Sequence, residues 1–198
     1  MHYRICRFLA FIILKLFFRL KIYGKENIPK QDAVIIASNH TSNLDPVVLG
    51  VVCPRKLAFM AKEELFQGFL SYLLPKFNVF PVRRQAADLS AVKRSLSVLE
   101  NNGALLIFPQ GRRRPDLKKE DFQRGICFLA RQSKAKVVPA YVQGTNKAMP
   151  IGSKKIKLSP VRVFFGQAIR FEQQDTDQSF IDKIFQEISK LSLTKIKD

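Results

Sequence analysis

Short apolar runs alternate along the chain with longer segments in which apolar residues recur at helical spacing. We interpret six runs as strands, because each is short, rich in β-branched or aromatic residues and bounded by small or polar residues. The predicted strands are residues 33–37, 56–60, 78–82, 104–108, 136–142 and 161–166. The predicted helices are residues 46–52, 62–74, 88–101, 122–133 and 178–191. This alternation predicts an α/β fold with a mostly parallel or mixed sheet flanked by helices.

The amino-terminal segment is strongly apolar but is interrupted by four cations, Arg4, Arg7, Lys15 and Arg19. On a helix that advances ~100° per residue, these cations fall within an arc of about 120°. We assign the opposite face to Phe8, Leu9, Phe11, Ile12, Leu16 and Leu20. The charges argue against a spanning helix, and no signal-peptide cleavage site follows. We therefore predict an amphipathic helix at the membrane interface in residues 1–23, followed by one domain in residues 24–198. The alternative is an ordinary helix packed on the domain.

A second apolar segment, residues 65–74, is interpreted as core by default, with a membrane-facing shoulder or the wall of an acyl-chain tunnel as alternatives. The three cysteines, Cys6, Cys53 and Cys127, are far apart and form no C-x-x-C pair. We interpret them as reduced, buried thiols, and we predict no metal site.

The chain has 34 basic and 16 acidic residues, a formal net charge of +18, so its partner should be anionic. The candidates are nucleic acid, an anionic membrane surface and an acidic carrier protein. No zinc finger, aromatic RNA-binding motif or suitable Gly-x-x-Gly loop is present. Because the apolar amino terminus suits lipid, we predict an anionic membrane as partner and no nucleic acid.

The most informative chemistry lies in residues 37–46, directly after the apolar run Val34-Ile35-Ile36. His40 and Asp45 lie there, five positions apart, on a loop at the carboxyl end of a predicted strand. Open α/β sheets bind their ligands at that end. A histidine beside a carboxylate can act as a general base toward an alcohol or a water. The alternative is a surface turn in which His40 is incidental, but the chain has only two histidines.

Four blocks in order resemble the glycerolipid acyltransferases, typified by the 1-acylglycerol-3-phosphate acyltransferases. Asn39-His40-x-x-x-x-Asp45 resembles the first block, and Phe80-Pro81-Val82-Arg83-Arg84 the second. Residues 108–113 (FPQGRR) resemble the third block, usually F-P-E-G-T-R, and residues 137–140 the apolar fourth. The resemblance spans residues 24 to 145.

This resemblance implies transfer of a fatty acyl group from a thioester of acyl carrier protein or coenzyme A to the hydroxyl of lysophosphatidic acid, without a cofactor. His40 would be the general base and Asp45 its partner, although Ser38 or Ser42 could be argued for as a nucleophile. Arg84, Arg113 and Lys62 would bind the acceptor phosphate, and Gln110 and Gly111 would position the substrate. The expected location is peripheral or monotopic, on the cytoplasmic face of the cell membrane.

Two departures from the pattern leave alternatives open. Gln110 stands where the family normally has Glu, and Arg112 where it has Thr. The acceptor could therefore be glycerol 3-phosphate or another lysolipid, or the chain could be a non-catalytic membrane-surface protein with the same fold. Asn78 replaces a usual Gly, a milder change because Asn tolerates the left-handed conformation.

Overall fold

A computed structural model describes residues 2–83 and 88–194, and its strands form one mixed sheet with helices on both faces. The strands are β1 (Lys21–Tyr23), β2 (Val34–Ser38), β3 (Leu57–Lys62), β4 (Val79–Val82), β5 (Ala104–Ile107), β6 (Lys136–Gln143) and β7 (Arg162–Phe165). The helices are α1 (His2–Phe17), α2 (Asp45–Val52), α3 (Gly68–Lys76), α4 (Leu89–Glu100), α5 (Gly125–Ser133), α6 (Thr145–Ala148) and α7 (Asp177–Ser192). The strand order is β1-β7-β6-β2-β5-β3-β4.

The direction of the strands determines where loops from different parts of the chain meet. All neighbouring strands are parallel except β6 and β7. Strand β2 lies between β5 and β6, with Ile36 opposite Leu106 on one side and Val138 on the other. The carboxyl ends of β2, β5 and β6 therefore lie together, at what we call the catalytic edge. This is the edge at which open α/β sheets bind their ligands.

Two apolar layers cover the sheet. Helices α1 and α2 pack on one face, where Leu49 and Val52 are buried. Helices α4, α5 and α7 pack on the other, where Leu99, Ile126 and Ile184 are buried. Strand β2 is buried along its whole length, as expected for a near-continuous apolar run covered on both faces. Each fully buried large aliphatic side chain stabilises the fold by about 1.5–3 kcal/mol.

The six predicted strands and the predicted α/β class are confirmed, whereas the helix predicted over residues 62–74 is confirmed only from residue 68 onward. In place of a helix over residues 62–74, β3 continues to Lys62, a 3₁₀ turn spans Glu63–Leu65, and α3 begins at Gly68. Gly68 has a φ of 53°, which prevents an α-helix from continuing through it. No residue of α3 is buried, so the default interpretation of residues 65–74 as core is also wrong.

Helix α1 packs on α2 and ends at Phe17, so the predicted helix over residues 1–23 is too long, because Lys21–Tyr23 form strand β1 of the sheet. The Arg7 guanidinium donates to the carbonyl oxygens of Val51, at 2.9 Å, and Cys53, at the carboxyl end of α2. This placement is favourable, because the last carbonyls of a helix lack partners within it. Lys15 donates to the carbonyl of Leu20, which lies beyond the helix and is buried in the core. Two of the four cations thus bond the protein's own backbone.

The outward side of α1 is largely apolar, as predicted for Phe8, Leu9, Ile12 and Leu16, whereas Phe11 is half-buried and Leu20 is buried. Its exposed residues include Ile5, Phe8, Leu9, Ile12, Ile13, Leu16 and Phe17. Cys6 is also exposed, so the interpretation of all three cysteines as buried holds only for Cys53 and Cys127. Among the helices in the described part of the chain, none is both long and apolar enough to cross a membrane.

Candidate active site

His40 and Asp45 meet at the catalytic edge, between β2 and α2. His40 Nδ1 lies 3.0 Å from Asp45 Oδ2. The His40 side chain is 11% exposed and Asp45 is fully buried. The His40 ring stacks on Phe108, with ring centroids 4.0 Å apart. Because Nδ1–H is used by the carboxylate, Nε2 is the nitrogen left to accept a proton. No described residue hydrogen bonds to Nε2.

Asp45 is held by donors from three further groups. Its Oδ2 accepts hydrogen bonds from the backbone N–H of Thr41 at 2.7 Å and of Ser42 at 2.8 Å. Its Oδ1 accepts one from the Thr145 hydroxyl at 2.6 Å. A buried carboxylate is costly unless such donors replace water. The four contacts fix the carboxylate, and through it the orientation of the imidazole.

Thr145 is a site residue that the sequence analysis missed. It is fully buried, begins the short helix α6 and follows the carboxyl end of β6. The preceding Gly144 has a φ of 92°, and a Cβ there would lie 1.9 Å from the carbonyl oxygen of Pro160. Only glycine therefore allows the turn that carries Thr145 to Asp45. The available signal was the position of Thr145 after the predicted strand 136–142, at the edge shared with His40.

The loop after β5 is bonded directly to the backbone of His40. The His40 N–H donates to Gln110 Oε1 at 3.3 Å, and the His40 carbonyl accepts from the Arg114 N–H at 2.8 Å. Gln110 Nε2 donates to the carbonyl of Asp116 at 2.9 Å. Gln110 is only 3% exposed, and both ends of its amide are used within the protein. Gly111 turns the loop with a φ of 66°, a conformation that glycine adopts readily.

The predicted phosphate-binding cations differ in their placement. Arg113 is half-buried on the loop that contacts His40, and none of the described residues bonds its guanidinium. Arg112 is exposed, and Arg114 forms an ion pair with Asp121 at 2.8 Å. Lys62 is exposed at the carboxyl end of β3, which β5 separates from β2. Arg84 lies outside the described residues.

Two serines beside the His40–Asp45 pair and two buried cysteines elsewhere in the fold are held in unreactive positions. Ser38 and Ser42 are fully buried, and the Ser42 hydroxyl donates to the carbonyl of Met149 at 2.8 Å. Burial raises the pKa of the Cys53 thiol, and raises that of Cys127 to about 11, so both stay protonated near neutral pH. Within residues 2–83 and 88–194, no group of three or more His, Cys, Asp or Glu side chains could hold a metal ion. Nε2 of His40 thus remains the ring nitrogen at this edge that has no hydrogen-bond partner among the described residues.

Comparison with known proteins shows the family to which the chain belongs. The acyltransferase family profile matches residues 19–143. The chain is 35% identical over 161 residues to the 1-acyl-sn-glycerol-3-phosphate acyltransferase of Bacillus subtilis, with 79% of each chain covered. It is 28% identical over 179 residues to a chloroplastic 1-acyl-sn-glycerol-3-phosphate acyltransferase of Arabidopsis thaliana, with 88% of this chain and 50% of the relative covered.

The crystal structure of the 1-acyl-sn-glycerophosphate acyltransferase of Thermotoga maritima superposes with a TM-score of 0.80. The match covers 98% of this chain and 81% of that one at 22% identity, so it supports the fold alone. The region matched by the family includes His40, Asp45 and the Gln110 loop. The chain therefore belongs to the acyltransferase family and is an O-acyltransferase.

Proposed function

We propose that this enzyme transfers a fatty acyl group from an acyl thioester to the free hydroxyl of lysophosphatidic acid, giving phosphatidic acid. The observation that carries the proposal is the buried His40–Asp45 pair, joined at 3.0 Å, with Nε2 left to accept a proton. The names of the relatives in Bacillus subtilis and Arabidopsis thaliana support this acceptor. The acyl donor is a thioester of acyl carrier protein or coenzyme A, and no cofactor takes part.

His40 acts as the general base in this proposal. Its Nε2 removes the proton of the acceptor hydroxyl as that oxygen forms a bond to the thioester carbonyl carbon. The carbon–sulfur bond then breaks, and the proton passes from the imidazolium to the leaving sulfur. Asp45 holds the imidazole in the required tautomer and stabilises its charged form. General base catalysis of this kind contributes roughly 10²–10⁴-fold to the rate.

The acceptor phosphate is bound by cations, among which Arg113 has the strongest support. A planar guanidinium can form two charge-assisted hydrogen bonds to a phosphate. Arg113 is half-buried on the loop bonded to His40 and has no partner among the described residues. Arg84 and Lys62 complete the proposed phosphate site, and Gln110 and Gly111 shape the loop that carries Arg113.

We further propose that α1, within the predicted segment 1–23, attaches the acyltransferase domain to the cytoplasmic face of the membrane, and that the domain begins with β1 at Lys21, before residue 24. The outward side chains of α1, Phe8 and Leu16 among them, are 63% and 70% exposed, and such an apolar surface suits a bilayer. Anionic lipids would be attracted by the net charge of +18.

Product analysis tests the catalytic proposal. Purified protein is incubated with lysophosphatidic acid and, in turn, acyl carrier protein and coenzyme A thioesters. We expect phosphatidic acid with at least one donor, and no product from a folded His40→Ala variant. The matched control is His2→Ala, which changes the only other histidine. Faster acylation of glycerol 3-phosphate or of another lysolipid would replace the proposed acceptor.

Vesicle sedimentation tests the attachment by α1. We expect the variant Phe8→Ser/Leu16→Ser to bind vesicles at least about 10-fold more weakly, because two apolar side chains no longer leave water. The matched control is Phe128→Ser/Leu193→Ser, which changes two exposed apolar residues elsewhere. Equal binding by the two variants would locate the attachment outside α1.

A further inference from the structure

The loop between α6 and β7 combines exposed apolar and cationic side chains in an unusual way. Residues 151–158 include three exposed apolar side chains. These are Ile151, Ile156 and Leu158, which are 47%, 56% and 71% exposed. Lys154, Lys155 and Lys157 lie among them and are exposed too. We call residues 151–158 the docking loop. A soluble surface rarely gathers apolar side chains of this size without a partner.

Backbone hydrogen bonds tie the docking loop to the active site. The Lys157 N–H donates to the carbonyl of Ala148 at 2.8 Å. The neighbouring Met149 carbonyl accepts the Ser42 hydroxyl at 2.8 Å. Ser42 in turn donates its backbone N–H to Asp45. The docking loop therefore begins beside the loop that holds the catalytic pair.

The chain that leaves the docking loop passes beside the end of α1 at Val161, three residues after Leu158. The Val161 N–H donates to the carbonyl of Phe18 at 2.8 Å, and the Val161 carbonyl accepts the Lys21 N–H at 3.1 Å. Leu16 and Phe17, in the last turn of α1, are 70% and 55% exposed. The segment after the docking loop is thus bonded to the residues that follow α1, which places the docking loop and the last turn of α1 on the same side of the domain.

Strand direction brings all of these groups to one edge. Strand β7 is antiparallel to β6, so Arg162 at its start pairs with Gln143 at the end of β6. Strand β1 is parallel to β7 and begins beside it. The docking loop, the last turn of α1 and the catalytic pair therefore lie at the catalytic edge.

The charge around the docking loop selects an anionic partner. No acidic residue occurs between Asp121 and Glu172, and none occurs before Glu26. Cations that flank shallow apolar side chains are typical of surfaces that bind anionic bilayers. A partner that binds through charge alone would gain no binding free energy from the exposed side chains of Ile156 and Leu158.

We propose that the docking loop and the last turn of α1 together form a surface that binds an anionic phospholipid bilayer. The anionic headgroups are bound by Lys154, Lys155 and Lys157. The side chains of Ile156 and Leu158 insert at the boundary between the headgroups and the acyl chains. Docking at this edge presents the catalytic pair to the bilayer, from which a lysolipid can reach His40. The lysolipid step rests on the proposed function, whereas the bilayer contact does not.

Sedimentation with vesicles of phosphatidylcholine, alone or mixed with an equal share of phosphatidylglycerol, tests the surface. We expect Lys154→Gln/Lys155→Gln/Lys157→Gln to bind the anionic vesicles about 10- to 100-fold more weakly at low salt. Added salt should reduce this difference, because screening acts on the charges. Ile156→Ser/Leu158→Ser should bind both kinds of vesicle more weakly at every salt concentration. The matched control, Lys93→Gln/Lys118→Gln/Lys134→Gln, removes the same charge from exposed positions outside the docking loop and should bind nearly as the parent does.

Three results would overturn the proposal. Parent-like binding by both loop variants would show that the bilayer does not contact the loop. An equal loss in the control would show that only net charge matters. If the loop variants bind vesicles as the parent does but transfer the acyl group from acyl carrier protein more slowly, the surface binds the acidic carrier protein and not a bilayer. Thermal unfolding confirms that each variant is folded. If Ile156→Ser/Leu158→Ser is unfolded, the milder variant Leu158→Ala replaces it.

Acyl transfer is measured separately, in detergent-dispersed and in vesicle-bound lysophosphatidic acid. For both loop variants, we expect the rate of acyl transfer to fall more with vesicle-bound than with detergent-dispersed lysophosphatidic acid. Failure of the parent to acylate lysophosphatidic acid would refute the proposed function while leaving the vesicle binding result intact.

Discussion

Asp45 contacts the His40 ring, and Arg113 lies on the loop that is bonded to the His40 backbone. The protein surrounds these two charged side chains in opposite ways. Asp45 is fully buried, and its oxygens accept hydrogen bonds from His40, Thr41, Ser42 and Thr145. Arg113 is half-buried, and the described residues leave its guanidinium without a partner. One charged group is fixed completely by the protein, and the other is left open.

The difference matches the task of each group in the proposed mechanism. A carboxylate that orients the base must hold one geometry throughout turnover, so bonds made within the protein assist it. A cation that binds a phosphate is hindered by a protein counter-charge, because the ligand must first displace it. Gln110 fits this pattern, since its amide positions the loop through His40 and Asp116 without adding a negative charge.

Removing the base should give the largest effect. We expect His40→Ala to lower kcat by roughly 10²–10⁴-fold or more, because no other described side chain can accept the proton. Asp45→Asn tests the charge with little change in shape, since an amide oxygen can still accept from Thr41, Ser42 and His40. A loss of similar size is expected for it, because the imidazolium then lacks its counter-charge. Steady-state kinetics on folded variants measures both, and near-parental turnover by His40→Ala would exclude this base.

Arg113→Ala should give the next largest effect and should act on the acceptor. A bidentate charge-assisted contact contributes about 1.5–3 kcal/mol, which is roughly 10- to 150-fold in kcat/KM. The loss should appear in the KM for lysophosphatidic acid and leave the KM for the thioester nearly unchanged. Arg112→Ala is the matched control, because it removes an exposed charge from the adjacent position. Equal sensitivity of the two variants would show that Arg113 has no special contact with phosphate.

The parts of the fold that the sequence predicted are those determined locally. The strand β2 has an uninterrupted apolar run followed by small polar residues, so its position and its loop were both predictable. Strand β1 was missed because it has only three residues and exists by pairing with β7. The left-handed conformation of Asn78, with a φ of 64°, was anticipated from the residue type.

The same distinction applies to the site. His40 and Asp45 are five positions apart and are joined by one turn, which made the pair visible in the sequence. Thr145 reaches Asp45 across 100 positions, and Gln110 reaches the His40 backbone across 70. Such contacts depend on strand order, which periodicity does not contain. The exposure of α3 was missed for the same reason, since its apolar residues resemble those of a core helix.

Thr145→Val should show how much the fourth donor to Asp45 contributes. The change keeps the shape but leaves Asp45 Oδ1 without its bond at 2.6 Å in a buried site. The loss of one such bond costs about 1–3 kcal/mol, shared between folding stability and kcat, so we expect a roughly 3- to 30-fold lower kcat. Thr145→Ser keeps the hydroxyl, so it should retain most of the parental kcat, and its KM should be unchanged. A serine variant as slow as the valine variant would indicate that packing, not the hydrogen bond, matters there.

Gln110→Glu should give the smallest kinetic effect, and it tests the contrast between the fixed and the open charge most directly. One carboxylate oxygen can still accept from the His40 N–H, but the other faces the Asp116 carbonyl, to which Gln110 now donates at 2.9 Å. We expect the free energy of unfolding to fall by about 1–3 kcal/mol near neutral pH.

The effect of this substitution should depend on pH, with a definite sign. A protonated carboxyl can donate to Asp116 as the amide does, so its pKa is raised in the folded state. The variant should therefore approach the parental stability at acidic pH and lose stability as the pH rises through that pKa. Gln123→Glu is the matched control, because Gln123 also donates to a backbone carbonyl, at 3.2 Å, but is exposed. A negative charge near Arg113 should also raise the KM for lysophosphatidic acid a few-fold, whereas a lower KM would mean that the open cation is not what binds the acceptor.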